Sequence, residues 1–250
     1  MNIVITGAKG QLGRDCATVL AAGNRVVGYG SRELDIGDRE QVFSLIGTIR
    51  PEVIINCAAY TAVDACETNR DICDRVNSDG PGILAAACAR FNTRLIHIST
   101  DYVFDGNRKV PQPYLESDPV NPLSRYGVSK LAGEEKVRQQ TDNHLIIRTA
   151  WLYGMGGKNF LKTMLRLALT DPARTIRVVN DQFGSLTWTY RLARPEQFTF
   201  RPGQWCFLNL PDIGFQDERG LRRHLSLASA PLRCSLSEWF LVSAYDVTGA

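Results

Sequence analysis

The sequence lacks the features that mark several large classes of protein. No apolar run approaches the roughly 20 residues that span a bilayer, and the first residues show neither the basic nor the apolar stretch of a secretory leader. The formal net charge is +3, without a run of basic residues, so we expect neither a nucleic-acid nor a membrane partner. These absences favour a cytoplasmic protein, and 250 residues are enough to bury a full core.

Cysteine is present, but its spacing is not that of a cross-linked or metal-binding protein. The chain has seven cysteines, an odd number, without a CxxC pair or a histidine-rich neighbour. This pattern argues against a disulfide framework and against a zinc site. We therefore expect reduced thiols and no metal.

Short β-branched segments alternate with longer helical patterns up to about residue 190. The segments that read as strands are 3–6, 25–29, 53–56, 94–99, 145–148 and 176–179. The segments that predict helices are 11–22, 38–49, 72–90, 124–140 and 159–169. Near-continuous apolar strands separated by helices indicate a parallel sheet covered on both faces. We therefore predict a doubly wound α/β fold of the Rossmann type, with its ligands at the carboxyl ends of the strands.

A glycine-rich turn follows the first strand and opens the first helix. It reads GAKGQLG over residues 7–13. Glycine here lets the chain turn tightly and lets a pyrophosphate approach the backbone, while the helix N-terminus attracts its negative charge. The residues expected to contact a dinucleotide at this turn are Gly7, Gly10, Gln11, Leu12 and Gly13.

The end of the second strand bears on which nicotinamide cofactor binds. It reads GYGSR over residues 28–32, without the acid that usually holds the ribose of NAD. Ser31 and Arg32 are suited to a 2′-phosphate, so NADP(H) is favoured and NAD(H) stays the alternative. Asp35 and Ile36 are candidates to frame the adenine. After the third strand, small residues leave room for the cofactor beside Ala58, Ala59 and Tyr60.

A tyrosine and a lysine four residues apart follow the fourth strand. Tyr126 and Lys130 share one face of the predicted helix over 124–140. A nearby ammonium favours the phenolate, which would make Tyr126 a usable acid in reduction, and Lys130 can also bind the nicotinamide ribose. Thr100, or alternatively Ser99, would hydrogen-bond the carbonyl oxygen of the substrate. We predict that Thr100, Tyr126 and Lys130 are catalytic.

Residues 1–193 resemble the extended short-chain dehydrogenase/reductases, and most closely the dTDP-4-dehydrorhamnose reductases. The stretches that carry the resemblance stand in order and well spaced along the chain: GAKGQLG (7–13), NCAAYTAVD (56–64), HISTDYVFDG (97–106), NPLSRYGVSKLAGE (121–134), IIRTAWLYG (146–154), GKNF (157–160) and VVNDQFGSLTWTY (178–190). The resemblance implies reduction of the C4 keto group of dTDP-6-deoxy-L-lyxo-4-hexulose by NAD(P)H. The product would be dTDP-L-rhamnose for cell-surface polysaccharide.

The same resemblance implies a nucleotide-sugar pocket built largely from residues 145–190. The side chains that it would place near the substrate are Tyr102, Trp151, Lys158, Asn159, Asp181 and Gln182. Two of these have an ordinary structural alternative, because Trp151 would serve equally as a core residue and Lys158 as a solvated charge.

The composition changes after Ala193, and we place a domain boundary there. Residues 194–250 resemble a fragment of the FAD-binding barrel of ferredoxin-NADP reductase-type flavoproteins, and segments 198–200, 205–210 and 225–228 predict strands of an antiparallel unit. The matching RxYS-like segment is 223–226, in which Leu225 replaces the tyrosine that stacks on the flavin, so flavin binding is not expected. We interpret the chain as a reductase domain whose substrate subdomain is incomplete or replaced, as in a fusion; a divergent substrate subdomain is the alternative.

Two other functions remain open at the level of sequence. Some relatives of the reductases bind a dinucleotide and regulate a partner enzyme without catalysis, and a truncated, inactive fusion product would retain the same motifs. The intact Thr100, Tyr126 and Lys130 favour chemistry. The sequence is compatible with a homodimer but does not determine the oligomeric state.

Overall fold

Five parallel strands form the central sheet of the computed structural model, which describes residues 1–109, 112–154, 156–170, 184–188, 206–209, 222–225 and 243–246. The strands are β1 (Asn2–Thr6), β2 (Arg25–Tyr29), β3 (Val53–Asn56), β4 (Arg94–Thr100) and β5 (His144–Thr149). Their order is β2-β1-β3-β4-β5, and every neighbouring pair is parallel. This confirms the α/β, Rossmann-type prediction and five of its six strands. The sixth, at 176–179, lies outside the described residues.

Helices connect the strands and cover the sheet. They are α1 (Gln11–Leu20), α2 (Arg39–Ile49), α3 (Val63–Thr68), α4 (Arg70–Asp74), α5 (Gly80–Phe91), α6 (Arg125–Gln140) and α7 (Phe160–Thr170). Side-chain caps start three of them, since Asp38 accepts a hydrogen bond from the Gln41 backbone N–H, Ser124 from that of Gly127 and Asn159 from that of Lys162. In the described part of the chain, no helix is both long and apolar enough to cross a membrane.

The single helix predicted over 72–90 is divided in the structure. A π-helical turn, Arg75–Asp79, separates α4 from α5. Pro81 stands in the first turn of α5, where it has no N–H to give to the helical hydrogen-bond ladder. The wider turn carries the chain past this proline without ending the helical path. Sequence periodicity predicted the path of these residues but not the change of helix type.

Two apolar layers enclose the sheet because side chains alternate between its faces. On one face Val4, Ile54, Leu95 and Ile146 pack with buried residues of α2, α5 and α6. On the other face α1 packs against the sheet. The buried residues of this second layer are Ile3, Ile5, Leu12, Cys16, Leu20 and Ile55. A sheet buried on both faces explains why its strands read as nearly continuous apolar runs.

The strand order determines where a ligand can enter. Beyond β1, the chain runs outward to β2 on one side and to β3 on the other. In open α/β sheets, loops that diverge in this way leave a crevice at the carboxyl ends of the strands. Gly7 follows β1, Cys57 follows β3 and Thr100 ends β4, so the predicted cofactor and catalytic motifs share one edge of the sheet.

Short strands lie outside the central sheet. They are β6 (Leu152–Tyr153), β7 (Ser185–Trp188), β8 (Cys206–Asn209), β9 (Arg222–Leu225) and β10 (Ser243–Asp246). Strand β7 pairs with β6 in parallel and with β10 in antiparallel orientation, and β8 pairs with β9 antiparallel. The strand predicted at 205–210 is therefore confirmed as β8. Of the strand predicted at 225–228, Leu225 lies in β9 and residues 226–228 lie outside the described residues, as do the predicted strand at 198–200 and the boundary at 193.

Candidate active site

The glycine turn brings the backbone of β1 against the loop that follows β3. Gly7 has φ +65°, and a Cβ on it would lie 2.6 Å from the backbone nitrogen of Ala58. A Cβ on Gly13 would lie 2.3 Å from the carbonyl oxygen of Gly7. Neither contact leaves room for a side chain, so these two glycines are required by packing. This accounts for two of the three glycines before any ligand is considered.

The third glycine leaves the start of α1 open to a ligand. Gly10 is the N-cap of α1 in extended conformation, and no side chain caps the helix there. The first N–H groups of α1, on Gln11, Leu12 and Gly13, therefore face the crevice with the positive end of the helix dipole behind them. This cradle of backbone donors fits the pyrophosphate of a dinucleotide.

Of the four residues after β2 that were predicted to contact the cofactor, two are exposed and two already have protein partners. Ser31 and Arg32 are exposed, as a contact with a 2′-phosphate requires. Asp35 binds Arg75 at 2.6 Å, and Ile36 is buried in the core against α5. The structure thus leaves Ser31 and Arg32 free to meet a cofactor, whereas Asp35 and Ile36 already have protein partners.

An acid that the sequence analysis did not single out also lies here. Glu33 forms an ion pair with Lys9 of the glycine turn, and its other carboxylate oxygen accepts a hydrogen bond from the Gly30 backbone N–H at 3.0 Å. This pairing lowers the pKa of Glu33, mainly through the Lys9 hydrogen bond. The ion pair links the glycine turn to the loop after β2, on either side of the expected adenosine position.

Two buried asparagines fix the loop after β3 in which Ala58, Ala59 and Tyr60 lie. Asn56 Oδ1 accepts hydrogen bonds from Thr6 Oγ1 at 2.6 Å and from the Ala58 backbone N–H at 3.1 Å. Asn77, in the π-helical turn, holds the Tyr60 backbone on both sides, since Oδ1 accepts from its N–H at 2.8 Å and Nδ2 donates to its carbonyl at 3.0 Å. The sequence analysis missed both roles, because a polar residue at a strand end or in a helix gives no sign of its tertiary partners.

Tyr126 and Thr100 meet at the end of β4. Tyr126 is buried, and its phenol lies beside the Thr100 hydroxyl. The ring of Tyr102 packs edge-on against the ring of Tyr126, with centroids 5.6 Å apart. Next to them, burial raises the pKa of the Asp101 carboxyl to about 6. Predicted catalytic and substrate-side residues are therefore together at one strand end.

Lys130 lies one helical turn beyond Tyr126 and is completely buried. Its Nζ donates a hydrogen bond to the carbonyl oxygen of Ile98 in β4 at 2.7 Å. Burial lowers the pKa of Lys130 to about 8, although the negative charge of Glu134 acts against this shift. An ammonium whose pKa is lowered this far can give up its proton close to neutral pH.

The pKa of Tyr126 moves in the direction opposite to our expectation. We expected the Lys130 ammonium to favour the phenolate. Instead, burial raises the pKa of the phenol to about 12 and outweighs the lowering effect of the Thr100 hydroxyl. The charge of Asp101 raises the pKa further. The expectation considered charge attraction alone and omitted the desolvation of a buried phenol.

Ser99 and Thr100 have different partners, which separates two alternatives that the sequence left open. The Ser99 hydroxyl donates to Glu134 Oε1 at 2.6 Å. Glu134 is fully buried and also accepts hydrogen bonds from Arg148, at 2.7 and 2.9 Å, and from Arg138 at 2.8 Å. Ser99 is thus committed to an internal ion network. The Thr100 hydroxyl, beside Tyr126, donates to Asp101 Oδ1 at 3.1 Å and accepts from the Tyr102 backbone N–H at 3.2 Å.

Predicted substrate-side residues lie in the segment between β5 and α7. Trp151 has a positive φ of 42° and is 42% exposed, so it is not a core residue. Asn159 Nδ2 donates to the side chain of Gln11 and to the Gly154 carbonyl, both at 3.1 Å, which ties this segment to the start of α1. Lys158 beside it is exposed, and Asp181 and Gln182 lie outside the described residues.

Comparison with known proteins covers the same part of the chain. The sequence profile of the RmlD substrate binding domain matches residues 1–201. A dTDP-4-dehydrorhamnose reductase of Burkholderia thailandensis is 43% identical over 193 residues, which are 77% of this chain. The chain belongs to the dTDP-4-dehydrorhamnose reductase family.

Solved structures of the reductase family have the same fold. One from Clostridium acetobutylicum is 44% identical, with a TM-score of 0.71 over 75% of this chain and 66% of its own. One from Bacillus anthracis, in complex with NADP, is 42% identical, with a TM-score of 0.71 over 74% of this chain and 65% of its own. The chain spans slightly under two thirds of the length of such relatives, including 63% of the Burkholderia protein.

In this member of the reductase family, the described residues bring most of the predicted site together. Thr100, Tyr126 and Lys130 lie between β4 and α6, and the glycine turn lies two strands away on the same edge of the sheet. In the described part of the chain, no three His, Cys, Asp or Glu side chains converge as a metal site would require. The arrangement offers backbone donors for a pyrophosphate at the start of α1 and a phenol and a lysine at the end of β4 that can exchange a proton with a bound ligand.

Proposed function

We propose that this protein reduces the C4 keto group of dTDP-6-deoxy-L-lyxo-4-hexulose to give dTDP-L-rhamnose, with NADPH as the favoured cofactor and the cytoplasm as the site of action. The observation that carries the proposal is the placement of Thr100 and Tyr126 side by side, next to the buried Lys130 and at the same sheet edge as the glycine turn. Family membership supports it, with relatives named as this reductase.

The cofactor would lie with its pyrophosphate at the start of α1 and its nicotinamide toward Tyr126. When bound, it supplies the hydride for the carbonyl carbon. Exposed Arg32 and Ser31 support NADPH over NADH, and the Bacillus anthracis relative was solved in complex with NADP.

The proton for the new hydroxyl would come from Tyr126 Oη. A pKa of about 12 keeps this phenol protonated at neutral pH, as a proton donor in a reduction requires. The Thr100 hydroxyl would orient the keto oxygen toward the phenol. Lys130, with a pKa of about 8, would then return a proton toward the tyrosine and restore the site for the next turnover.

Substrate selection would rest on the segment that follows β5. The exposed indole of Trp151 offers a flat apolar surface for a deoxysugar, and Lys158 offers a positive charge for a diphosphate. The resemblance would add Asp181 and Gln182, which lie outside the described residues, to this pocket. Residues 194–250 would form a separate unit. Turnover by the whole protein would show that the reductase domain is active with this segment attached.

The test is NADPH consumption with dTDP-6-deoxy-L-lyxo-4-hexulose, with the Tyr126→Phe variant beside the unmodified protein. We expect turnover to fall by roughly 10²- to 10⁴-fold in the variant, because its general acid is gone. Tyr114→Phe is the matched control: it removes a phenol whose partners are Asp105 and the Arg108 backbone, and turnover should persist. NADPH binding by fluorescence should be retained in all three proteins.

Absence of turnover in the unmodified protein would contradict the proposal. If NADPH still binds in that case, the chain is a dinucleotide-binding subunit without this activity. If neither binding nor turnover is found, the inactive alternative holds.

A further inference from the structure

Two cysteines that are seven positions apart meet directly behind the proposed catalytic tyrosine. The Sγ atoms of Cys66 and Cys73 lie 2.6 Å apart, and both side chains are fully buried. They form one apolar cluster with Tyr126. Among the described cysteines the next such pair, Cys16 and Cys57, is wider, at 4.0 Å between sulfurs.

A break in the helical path brings the pair together. In one continuous helix, residues seven apart are separated by about 10.5 Å along the axis. Here α3 ends at Thr68 and α4 begins at Arg70, with Asn69 between them in a non-helical conformation. Cys66 and Cys73 therefore face each other across the junction of two short helices, and their sulfurs need to approach by only about 0.5 Å to reach bonding distance.

Hydrogen bonds connect this pair to the catalytic helix. Cys73 Sγ donates to Ser129 Oγ at 3.1 Å, and Ser129 Oγ in turn donates to the Tyr126 carbonyl at 2.8 Å. Asn77 Nδ2 also donates to Ser129 Oγ at 3.1 Å. Cys73 has a small raising effect on the pKa of Lys130. A change at Cys73 therefore acts on the backbone and side chains that hold Tyr126 and Lys130 in place.

We propose that Cys66 and Cys73 are a redox-active thiol pair, which closes to a disulfide under oxidising conditions and slows the enzyme until it is reduced. The effect on turnover rests on the proposed function, whereas formation of the disulfide does not. The oxidant is a low-molecular-weight disulfide such as oxidised glutathione. Two thiols become one S–S bond, and the two protons and two electrons that they lose convert the oxidant to two thiols.

Closing the bond changes the contacts behind Tyr126. The Cys73 sulfur loses its hydrogen, so Ser129 Oγ loses a donor, and the sulfur shifts toward Cys66. Access for the oxidant comes from local opening of α3 and α4, which are short and carry exposed residues such as Ile72. In a reducing cytosol the pair would be open, and oxidation would be transient, as is usual for intracellular disulfides.

The experiment equilibrates the whole native protein with glutathione buffers of increasing oxidation, starting from both the reduced and the fully oxidised protein. Intact mass under non-reducing conditions should show the loss of two hydrogen atoms, and peptide mapping should place the link between Cys66 and Cys73. Variants Cys66→Ala and Cys73→Ala should each abolish this loss. Cys88→Ala, which removes a buried thiol outside the cluster, should leave it unchanged.

A second arm measures NADPH consumption by the same samples. Turnover should fall several-fold on oxidation, return with dithiothreitol, and stay constant in the Cys66→Ala variant. The inference is overturned if the mass does not change in any buffer, if the link maps to other cysteines, or if Cys66→Ala loses turnover on oxidation as the unmodified protein does. If even the reduced protein lacks turnover, the mass arm still decides whether the disulfide forms, and the failure belongs to the proposed function.

Discussion

The Nζ atom of Lys130 lies 2.7 Å from the carbonyl oxygen of Ile98, so the buried ammonium on α6 is bonded to the backbone of β4. This contact fixes the helix that carries Tyr126 against the strand that carries Thr100. It also places a positive charge where water is excluded, which is why the pKa of Lys130 falls to about 8. The proposed site is therefore held together by a group that costs stability at neutral pH.

We expect Lys130→Met to raise the free energy of unfolding at neutral pH by up to about 3 kcal/mol while abolishing turnover. The folded-state pKa of about 8 lies below the ordinary 10.5, so between these values the unfolded chain holds more protons than the folded chain. Stability of the unmodified protein therefore rises with pH through this window, and the advantage of the variant shrinks toward pH 10.5. Urea unfolding of both proteins across this range measures the difference.

Lys136→Met is the control for that series. Lys136 lies on the same helix but is half-exposed and pairs with Asp79 at the surface. Its replacement should change the free energy of unfolding by no more than about 0.5 kcal/mol. A Lys130→Met advantage that stays constant or grows with pH would contradict the buried-ammonium explanation.

Thr100→Val and Ser99→Ala should separate a role in catalysis from a role in folding. Loss of the Thr100 hydroxyl should lower kcat by roughly 10²- to 10³-fold, because the keto oxygen loses its hydrogen-bond donor. Loss of the Ser99 hydroxyl should leave kcat nearly unchanged but lower the free energy of unfolding by about 1–3 kcal/mol, because buried Glu134 loses a donor. Steady-state kinetics and urea unfolding check both, and the reverse pattern would assign Ser99 to the substrate.

Glu134→Gln should destabilise the protein at neutral pH by about 3–5 kcal/mol, and this loss should vanish in acid. Burial by itself raises the pKa of Glu134, but the hydrogen bonds and charge of Arg148, together with Ser99 and Arg138, hold it below its ordinary 4.5. A depressed folded-state pKa stabilises the protein above pH 4.5, and that contribution is lost as pH falls through the folded-state value. Unfolding of variant and unmodified protein at neutral pH and below pH 4.5 gives the comparison.

Glu135→Gln, one residue along α6 and exposed, provides the matched control and should show little change at either pH. The two arginines should also differ. Arg148→Ala should cost more stability than Arg138→Ala, because the Arg148 side chain is 11% exposed and that of Arg138 is 42% exposed. Equal costs would indicate that burial does not govern this network.

Most of the fold could be predicted from the sequence because the strongest sequence signals are local. Runs such as 53–55 and 145–147 are apolar throughout, which is typical of a parallel sheet covered on both faces, and the glycine turn indicated the sheet edge at which ligands would bind. The π-helical turn before Pro81 was not predicted, since its cause is a competition between one proline and the packing of α5 on α2 and α6.

The supporting residues of the site were beyond sequence reasoning for a different reason. Glu134, Asn77 and Asn56 are polar residues that each have a partner 14 to 50 positions away, and from periodicity alone each would be placed in solvent. The predicted direction of the shift in the Tyr126 pKa was wrong for the same reason, because the degree of burial is a property of the assembled fold. Motifs thus pointed to the proposed reacting groups, whereas their electrostatic environment required the tertiary structure.

Gly10→Ala should keep the fold but weaken NADPH binding, whereas Gly13→Ala should disrupt the fold itself. A Cβ on Gly10 would lie no closer than 3.2 Å to the carbonyl oxygen of Gly7, and its φ of −75° suits any residue. The methyl group would instead stand where a pyrophosphate approaches the start of α1, so we expect Kd to rise by about tenfold or more. On Gly13 the Cβ would lie 2.3 Å from a backbone oxygen, which no rotamer can relieve.

Thermal unfolding and NADPH fluorescence titration of both variants make this comparison. Gly23→Ala is the control, because Gly23 has φ +90° and no atom lies within 4 Å of the place its methyl group would take, so only backbone strain of about 1–2 kcal/mol follows and Kd should not change. If Gly10→Ala binds NADPH as tightly as the unmodified protein, the pyrophosphate does not lie on this turn. The cofactor would then have to enter elsewhere along the crevice, and the proposed direction of the nicotinamide toward Tyr126 would be lost with it.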